Sequence, residues 1–424
     1  MRRRLLPNLL IALIVIILAG GAYTFLKDMD GPTVTISPKT DRISPMTQLT
    51  IGMEDKSGIR ELELGIRKDN EVKRFFRKHY DEYVNYREEV VPLREANLTD
   101  GAFELVIKVT DASMAGFGHG NTHTESLPMR LDAQPPRLSI KTLPPNVRRG
   151  GAAVVRFTAD EEVTNCGVLI NNWFVPAYLQ KDGSWVCLYP YPYAMTPQDY
   201  KNSVQITATD LAGNKTTSHL TVLAYDRRFR NDKLTISDSF LQQVQSKLGN
   251  LAPNAPDIAK LQTLSHESAS AMLFDGVFIH MPRAATRANF ADHRTLIYQN
   301  QVVGEAYHLG IDLASVRNAE IPAANSGKVV FTGDMGVYGN LCLIDHGLGL
   351  FSLYAHMNDF TVKPGDLVKK GDLIGHTDST GLAFGDHLHF GIIVGGLEVT
   401  PIEWLDPKWV RNIVNNINGT VPAR

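Results

Sequence analysis

The C-terminal part of the chain concentrates histidines among short runs of strand-forming residues. Six of the 13 histidines lie at or after position 308. Imidazole is a common zinc ligand and, with a pKa of about 6.5, it also serves as an acid or a base near neutral pH. Metal binding, proton transfer or both are therefore open to a subset of His308, His346, His356, His376, His387 and His389.

Two of these histidines flank one leucine in GDHLHFGI, residues 385–392. Alternate residues of a β-strand project from the same face. A strand here would point His387 and His389 one way, and Leu388 and Phe390 the other way into a core. The spacing predicts two imidazoles in one groove, although so short a pattern does not by itself define a metal site.

A second pair, His308 and Asp312, lies in YHLGIDLAS, residues 307–315. Gly310 and the strand-forming neighbours disfavour a helix, so we expect an extended segment or a loop that brings both side chains to one point. A catalytic zinc ion takes three protein ligands and keeps a fourth position open. His308, Asp312 and one histidine of the 387–389 pair would make such a set.

The chain has no HExxH motif, which supplies two zinc ligands and a glutamate base in another class of zinc peptidase. The proton would then be handled by His356, within LYAHM, and by the remaining histidine of the 387–389 pair. His346 and His376 lie at predicted strand ends without a partner motif, so we predict that they are structural. Cys342, between two leucines, is predicted to be a small buried apolar residue.

Glycine-rich turns separate many short strand-like runs around these residues, including GKVVFTGD, GNLCLIDHG and LFSLYAHM. This pattern predicts a compact antiparallel β-barrel or sandwich. Residues 286–406 of this region resemble the lysostaphin-type, or LytM-like, zinc metallopeptidases, which cut peptide cross-links in bacterial peptidoglycan. The resemblance lies in FADHRT (290–295) and in four ordered elements: HLGID (308–312), YAHM (354–357), VKPGDLVKKGDLIG (362–375) and HLHF (387–390).

The resemblance implies a role for each matching residue. His308, Asp312 and His389 would bind zinc, and His356 and His387 would be catalytic, flanking a zinc-bound water that attacks the scissile carbonyl. Relatives that activate other wall hydrolases without cutting usually lose zinc ligands, whereas all five positions are present here. The chain departs from the family at Tyr307, Gly385-Asp386 and Gly391, which puts substrate detail in doubt more than catalysis.

The length of 424 residues predicts about three domains. With 43% hydrophobic residues, 34 glycines and 22 prolines, the chain is expected to be globular and mainly β. A net charge of −2 gives no reason to expect a nucleic-acid partner. The basic and aromatic run KRFFRKHY (73–80) is followed at once by acidic residues, so a solvated hairpin or short helical insertion is expected there.

The N-terminus predicts the compartment. Three arginines precede an uncharged, mostly apolar run, Leu9–Leu26, which is close to the ~20 residues needed to span a bilayer. The arginines predict a single-pass helix in the cytoplasmic membrane, with the N-terminus in the cytoplasm and the rest in the periplasm or cell-wall space. A cleaved signal peptide is the alternative, because Ala19-Gly20-Gly21-Ala22 offers small residues to a peptidase.

The middle of the chain contains an internal repeat. GPTVTISP (31–38) is echoed by PPRLSIKT (135–142), and IKVTDASMAGFGHGNTHT (107–124) by ITATDLAGNKTTSHL (206–220). The repeat predicts two β-sandwich modules over 31–133 and 134–226, and the ATDLAGN ending resembles bacterial immunoglobulin-like (Ig-like) modules. Cys166 and Cys187 both fall in the second module, where a disulfide and two buried thiols remain open.

Residues 227–285 are predicted to be a short helical linker between the modules and a peptidase domain over 286–424. Apolar spacing predicts one helix over 236–249 and a second from Pro256 through Ile258, Leu261 and Leu264. The predicted fold class is thus mainly β, with an N-terminal transmembrane helix over 1–30, two Ig-like modules, the linker and the C-terminal barrel or sandwich.

Two functions of different class follow from this reading. The first is a membrane-anchored zinc endopeptidase that hydrolyses the peptide stems of peptidoglycan. The second is a non-catalytic wall-binding regulator or activator of another wall hydrolase, which a linker helix plugging the groove would favour. Which peptide bond would be cut stays open.

Overall fold

The structure is a computed structural model that describes residues 5–26, 28–68, 71–142, 146–238, 241 and 256–420. The chain forms two compact units, residues 1–135 with 209–215 and residues 136–208 with 216–424. The mainly β architecture predicted from the sequence is confirmed. The domain boundaries predicted at 133, 226 and 285 stay predictions.

The first unit contains two antiparallel sheets. One has the strand order β1-β3-β6 and the other β2-β8-β7-β4-β5, where only β2 and β8 run parallel. Alternate apolar residues of β3, β4 and β7 are fully buried in a common core, as expected for packed sheets with one solvated face each. The strands are β1 Thr33–Ser37, β2 Arg42–Ile43, β3 Gln48–Glu54, β4 Ile59–Lys68, β5 Glu71–His79, β6 Tyr86–Pro92, β7 Gly101–Asp111 and β8 Thr122–Leu131.

The basic and aromatic run at 73–80 forms most of β5, an exposed edge strand paired with β4. Its charges are balanced locally, because Arg77 pairs with Glu61 and Lys78 lies 2.7 Å from Glu89. The expected solvated hairpin is therefore confirmed, and the positive charge of the run is largely compensated by its neighbours.

The N-terminal helix extends over Leu5–Leu26. In the part of the chain that the structure describes, no helix is both long enough and apolar enough to cross a membrane. The transmembrane helix in the predicted fold class is therefore wrong on this finding.

The second unit begins with two four-stranded sheets, β14-β15-β11-β9 and β13-β12-β16-β17, and the short parallel pair β10-β18. Cys166 and Cys187 are buried free thiols in the core between the sheets, which settles the alternative left open by the sequence. The strands are β9 Leu138–Ile140, β10 Asn146–Arg148, β11 Ala152–Ala159, β12 Val163–Ile170, β13 Trp173–Pro176, β14 Tyr178–Leu179, β15 Trp185–Pro190, β16 Val204–Asp210, β17 Lys215–His219 and β18 Leu223–Tyr225.

The rest of this unit is built on an eight-stranded antiparallel sheet with the order β20-β23-β31-β27-β26-β25-β29, in which β32 also pairs with β31. Two three-stranded sheets, β24-β30-β28 and β19-β21-β22, flank it. The strands are β19 Asn231–Thr235, β20 Ala285–Ala288, β21 His293–Tyr298, β22 Gln301–Tyr307, β23 Ile311–Ala314, β24 Glu320–Pro322, β25 Gly327–Asp334, β26 Asn340–Asp345, β27 Leu350–Ala355, β28 Met357–Phe360, β29 Leu367–Val368, β30 Leu373–Thr377, β31 Leu388–Val394 and β32 Leu397–Val399.

Helices are few in the described residues. Besides the N-terminal helix they are Ala115–Gly118, Pro197–Ser203, Pro256–Leu264, Pro401–Trp404 and Pro407–Asn418, with short 3-10 turns at Leu93–Ala96 and Gly336–Tyr338. Asp406 caps the last helix by accepting hydrogen bonds from the backbone of Lys408 and Trp409, and Gly419 ends it with a φ of +70°.

The second β-module packs directly on the C-terminal sheet, and the two share one hydrophobic core. Ala152, Val154, Val186 and Leu188 of the module are buried against residues of the C-terminal part, including Trp404. The module is therefore part of the same folded body as the candidate peptidase domain.

The segment 227–285 differs from the predicted helical linker. Its first described element is a strand, β19, which runs parallel to β21 and completes a sheet beside the site residues. The predicted second helix is confirmed as Pro256–Leu264, and its Leu261 is buried against the C-terminal sheet. The helix predicted over 236–249 falls almost entirely outside the described residues.

Candidate active site

Three neighbouring strands bring the sequence-predicted site residues together. β31 lies between β23 and β27, and its register places His389 directly opposite Asp312 on one side and Ala355 on the other. His356 follows Ala355, so it lies at the same end of the sheet. Residues that are distant in sequence thus become neighbours because the strands are paired.

The alternation predicted for the HLHF segment is confirmed. Leu388 and Phe390 are each only 2% exposed and belong to the hydrophobic core. His387 and His389 project from the opposite face and line a cavity of about 720 Å³. His308, Asp312 and His356 line the same cavity, so all five predicted site residues meet there.

His308 lies in the loop between β22 and β23, where the preceding segment holds it. Its backbone N–H donates to Asp292 O at 3.0 Å, and its carbonyl accepts from Ala291 N at 2.6 Å. Its ring Nδ1 donates to Asn289 O at 2.9 Å, which leaves Nε2 as the atom with a free lone pair. The segment 289–292 therefore fixes both the position and the tautomer of this imidazole.

Three donor atoms converge at the centre of the site. His308 Nε2 lies 2.8 Å from Asp312 Oδ1 and 2.9 Å from His389 Nδ1, and His389 Nδ1 lies 3.1 Å from Asp312 Oδ1. All three residues are buried. Ligands of a tetrahedral zinc ion, with bonds of about 2.0 Å, stand about 3.3 Å apart, which is close to this spacing.

The protonation pattern of the three residues also fits a cation. Because the proton of His308 is on Nδ1, its Nε2 lone pair faces a carboxylate and another imidazole nitrogen, an arrangement that needs a proton or a metal ion between the acceptors. The backbone carbonyl behind His308 is the kind of partner that orients metal-ligating histidines. The residues therefore fit a zinc ion, with His308, Asp312 and His389 as the group that would hold it.

Burial and hydrogen bonding set the charge states of this group. Burial alone would raise the pKa of Asp312, but its close contacts with His308, His387 and His389 lower that pKa well below its usual range. Burial lowers the pKa of His389 to about 4. An ionised carboxylate and a neutral imidazole are the forms that bind metals, so the fold itself favours the binding-competent state.

His356 and His387 lie beside this group and face one another, with ring centroids 4.8 Å apart. His356 Nδ1 donates to Thr380 O at 2.7 Å, and burial lowers its pKa to about 3. His387 Nδ1 donates to Gly385 O at 2.8 Å, and its Nε2 is 3.4 Å from Asp312. Although burial alone would lower the pKa of His387, the carboxylate of Asp312 raises it.

The backbone of His356 is itself unusual. Its φ of +62° lies in the left-handed region, which residues other than glycine rarely adopt. Hydrogen bonds from its N–H to Tyr338 O and from Asp378 N to its carbonyl hold this conformation. Such strained positions cluster at functional sites, where the surrounding structure fixes a side chain in one direction.

The structure reveals a site residue to which sequence analysis gave no role. Arg294, at the start of β21, donates to Asp312 Oδ2 at 3.2 Å, while Asp312 Oδ1 faces the histidines. The guanidinium therefore orients the carboxylate from behind. Arg294 belongs to the FADHRT element, so the signal was present in the sequence, but only the pairing of strands shows what it contacts.

The remaining predicted structural residues lie apart from the site. His346 is fully buried, with Nδ1 donating to Ser326 O and Nε2 accepting from the Ser352 hydroxyl, each at 2.7 Å. His376 pairs with Asp359 near the surface. Cys342 is a fully buried free thiol. The structural interpretation of these three residues agrees with the structure.

The cavity is bounded by several elements of the second unit. β19, β21 and β22 contribute one side, including Leu234 and Leu296. Ile258 of the helix Pro256–Leu264 and Phe384 of the loop before His387 contribute others. The described part of the segment 227–285 therefore supplies walls of the cavity.

Comparison with known proteins identifies the class of this domain. Residues 306–401 match the sequence profile of peptidase family M23. The match to the DD-carboxypeptidase/endopeptidase Mpg of Neisseria meningitidis serogroup B is 38% identical over 95 residues, which are 22% of this chain and 22% of Mpg. The C-terminal part of the chain is thus a peptidase M23 domain of the lysostaphin, or LytM, type.

Two further matches bear on the same region. The murein hydrolase activator NlpD of Salmonella dublin is 34% identical over 113 residues, which are 26% of this chain and 30% of NlpD. The catalytic domain of lysostaphin from Staphylococcus simulans is 26% identical, and its superposition covers 30% of this chain and 94% of that domain with a TM-score of 0.25. The chain therefore matches less than a third of the length of Mpg or NlpD.

Proposed function

We propose that this protein is a zinc endopeptidase that hydrolyses peptide cross-links of bacterial peptidoglycan. The observation that carries the proposal is the convergence of His308 Nε2, Asp312 Oδ1 and His389 Nδ1 within 3.1 Å of one another in a cavity that two further histidines share. The similarity of the M23 domain to Mpg, which is named a DD-carboxypeptidase/endopeptidase, supports the same reaction class.

His308, Asp312 and His389 would hold the metal, and when bound a zinc ion supplies Lewis acidity toward water and toward a carbonyl oxygen. His356 and His387 then have different tasks. His356 is neutral at neutral pH and, with its proton on Nδ1, it offers Nε2 as an acceptor for a proton of water. His387 has a raised pKa and can donate toward the oxygen on which negative charge develops.

The cavity and the relatives support the proposed substrate class. A cavity of about 720 Å³ accommodates a short peptide segment, Mpg is named a DD-carboxypeptidase/endopeptidase, and NlpD is named a murein hydrolase activator. Peptidoglycan lies outside the cytoplasmic membrane, so the protein would act there.

Activation of another wall hydrolase is the second candidate, because NlpD is named an activator and matches the same domain. The presence of His308, Asp312, His389, His356 and His387 together favours the enzyme. An activator that only binds a partner would have no need of five such side chains in one cavity.

Incubating the purified, zinc-loaded chain with purified peptidoglycan separates the two functions. Mass spectrometry of the released muropeptides would identify the products. Un-cross-linked peptide stems released by the protein alone would support the endopeptidase and name its bond. If products appear only after a wall amidase is added, and are those of the amidase, the protein is an activator and the proposal is wrong.

A further inference from the structure

A second group of acidic residues lies in the first unit, away from the candidate active site. Asp28 precedes β1, Asp55 follows β3 and Asp111 ends β7, and one carboxylate oxygen of each lies within 4.8 Å of the others. The three residues are 6%, 8% and 0% exposed. Three separate parts of the chain therefore bring carboxylates into one buried place.

These carboxylates have no cationic partner among the described residues. The ion pairs of the first unit involve other acidic residues, such as Asp30 with Lys56. Arg60 approaches the region, but it donates to the backbone carbonyls of Gly118 and Ser113. Buried like charges repel strongly when nothing compensates them, and burial with the charges of Asp111 and Asp28 raises the pKa of Asp55 to about 6.

The hydrogen bonds among the described residues leave one fully buried oxygen of the group without a donor. Both oxygens of Asp111 accept from Ser113 or Asn121, and Asp28 Oδ2 accepts from the Ser57 hydroxyl at 2.5 Å. Asp28 Oδ1 is fully buried and accepts no hydrogen bond from the described residues. A buried carboxylate oxygen without a partner is strongly unfavourable, so it points to a ligand that is positively charged.

The surrounding backbone is held in place for such a ligand. The side-chain amide of Asn121 donates to Asp28 O at 3.2 Å, Asp30 O at 3.0 Å and Asp111 Oδ2 at 2.9 Å. This ties the segment before β1 to the end of β7.

The second repeat of the sequence contains the same arrangement of an asparagine amide that bridges an aspartate and a backbone carbonyl. The amide of Asn214 donates to Asp210 Oδ2 and to Asp132 O, each at 2.9 Å. An aspartate followed by a bridging asparagine therefore recurs at equivalent positions of the two repeats.

We propose that Asp28, Asp55 and Asp111 form a calcium site that fastens the segment before β1 to the ends of β3 and β7. The donor set consists of oxygen atoms alone, which suits a hard cation and not zinc. Calcium tolerates the irregular geometry that three flexible carboxylates offer, whereas magnesium needs a near-ideal octahedron. Bound calcium would stabilise the β-module and leave the chemistry of the M23 domain unchanged.

Counting the metals bound by the whole 424-residue chain tests this site. The protein is dialysed to equilibrium against calcium chloride and zinc chloride, and both metals are counted by mass spectrometry. We expect Asp55→Asn to lose one equivalent of calcium and to keep its zinc. Asp81→Asn, a change of an exposed carboxylate in the same unit, should keep both.

Melting in EDTA shows that the variant is folded. Asp55→Asn removes a negative charge from the group, so it should melt at or above the temperature of wild type without calcium and should no longer respond to calcium. Asp28→Asn, outside the strands, repeats the test. The proposal would be overturned by equal calcium counts in wild type and both variants. It would also be overturned if magnesium chloride raised the melting temperature of wild type as much as calcium chloride does. The three carboxylates would then be a group that shares a proton.

Discussion

Backbone carbonyls determine which nitrogen of each site histidine carries the proton. Asn289 O, Thr380 O and Gly385 O accept from Nδ1 of His308, His356 and His387 in turn. Each of these imidazoles therefore turns Nε2 toward the cavity. His389 is the exception, because its Nδ1 joins the central group and its Nε2 is buried without a partner among the described residues.

Arg294 provides the first test of how single residues of the site act. Because its guanidinium holds Asp312 Oδ2 from behind, we expect Arg294→Ala to weaken zinc binding by about 10- to 100-fold. Competition with a coloured chelator measures the affinity. Arg287→Ala removes another arginine that lines the cavity and has no ion pair among the described residues, so it should bind zinc as wild type does. Equal affinities for both variants would contradict the orienting role.

His346 predicts how stability depends on pH. Burial lowers its pKa from 6.5 to about 4, so between these values the unfolded chain binds a proton that the folded chain does not. Stability from this residue is therefore complete above about pH 6.5 and is lost as the pH falls toward 4, by on the order of 3 kcal/mol.

His346→Asn keeps a donor for Ser326 O but cannot titrate. Urea unfolding followed by tryptophan fluorescence at several pH values should give the variant a shallower loss of stability between pH 6.5 and 4. Parallel curves for wild type and variant would show that another group governs the acid sensitivity of the second unit.

At the scale of elements, the strand pattern explains which parts of the site could be predicted. The period of two in HLHF was enough to assign Leu388 and Phe390 to the core and the two histidines to the groove. The contact of Arg294 could not be predicted in the same way, because it depends on the position of β21 beside β23. β21 pairs with β19, which lies in the segment that the sequence predicted to be a helical linker.

Gly310 shows how closely the loop passes over β31. A Cβ at this position would lie 2.6 Å from His389 Nε2 and 2.6 Å from the carbonyl oxygen of Phe390. The carbonyl oxygen of Phe390 belongs to a paired strand and cannot move away, so Gly310→Ala should displace the loop or the His389 imidazole. We therefore expect zinc affinity to fall at least about tenfold.

Gly391→Ala is the matched control for that substitution. Gly391 lies on β31, the strand that Gly310 approaches. A Cβ added at Gly391 would have its nearest contact at 3.4 Å, with Leu353 Cβ, which is an ordinary van der Waals distance. Zinc affinity and melting temperature of this variant should stay close to those of wild type. The close approach at Gly310 would be unimportant if both variants behaved alike.

At the scale of the whole molecule, the second β-module and the M23 domain are one folded body with a common core. The repeat in the sequence predicted the module but could not predict this packing, since the contacts join residues far apart in the chain. The N-terminal apolar run is a prediction that was wrong. Its hydropathy predicted a transmembrane helix, but no helix of the described residues is long and apolar enough to cross a membrane.

Glu403 provides a test of this shared body. It is largely buried, accepts from Ala152 N at 3.2 Å and pairs with Arg227 at 2.8 Å, and burial raises its pKa. Arg227→Ala would leave a buried carboxylate without its cation, so we expect a loss of about 2–4 kcal/mol at pH 7. The loss should shrink as the pH falls and Glu403 becomes protonated.

Denaturation of Arg227→Ala at pH 7 and pH 5 measures both effects. Arg228→Ala, a change of the exposed neighbour, should be nearly neutral. If Arg227→Ala is as stable as Arg228→Ala at pH 7, the ion pair between Arg227 and Glu403 does not stabilise this folded body.

The most direct test of the proposed function separates the metal ligands from the catalytic histidines. Zinc content and muropeptide release would be measured together for His389→Ala, His387→Ala and the control His376→Ala. We expect His389→Ala to lose both zinc and activity, His387→Ala to keep one zinc per chain but lose activity, and His376→Ala to keep both. Full activity of His387→Ala, or of zinc-free His389→Ala, would contradict the proposed function.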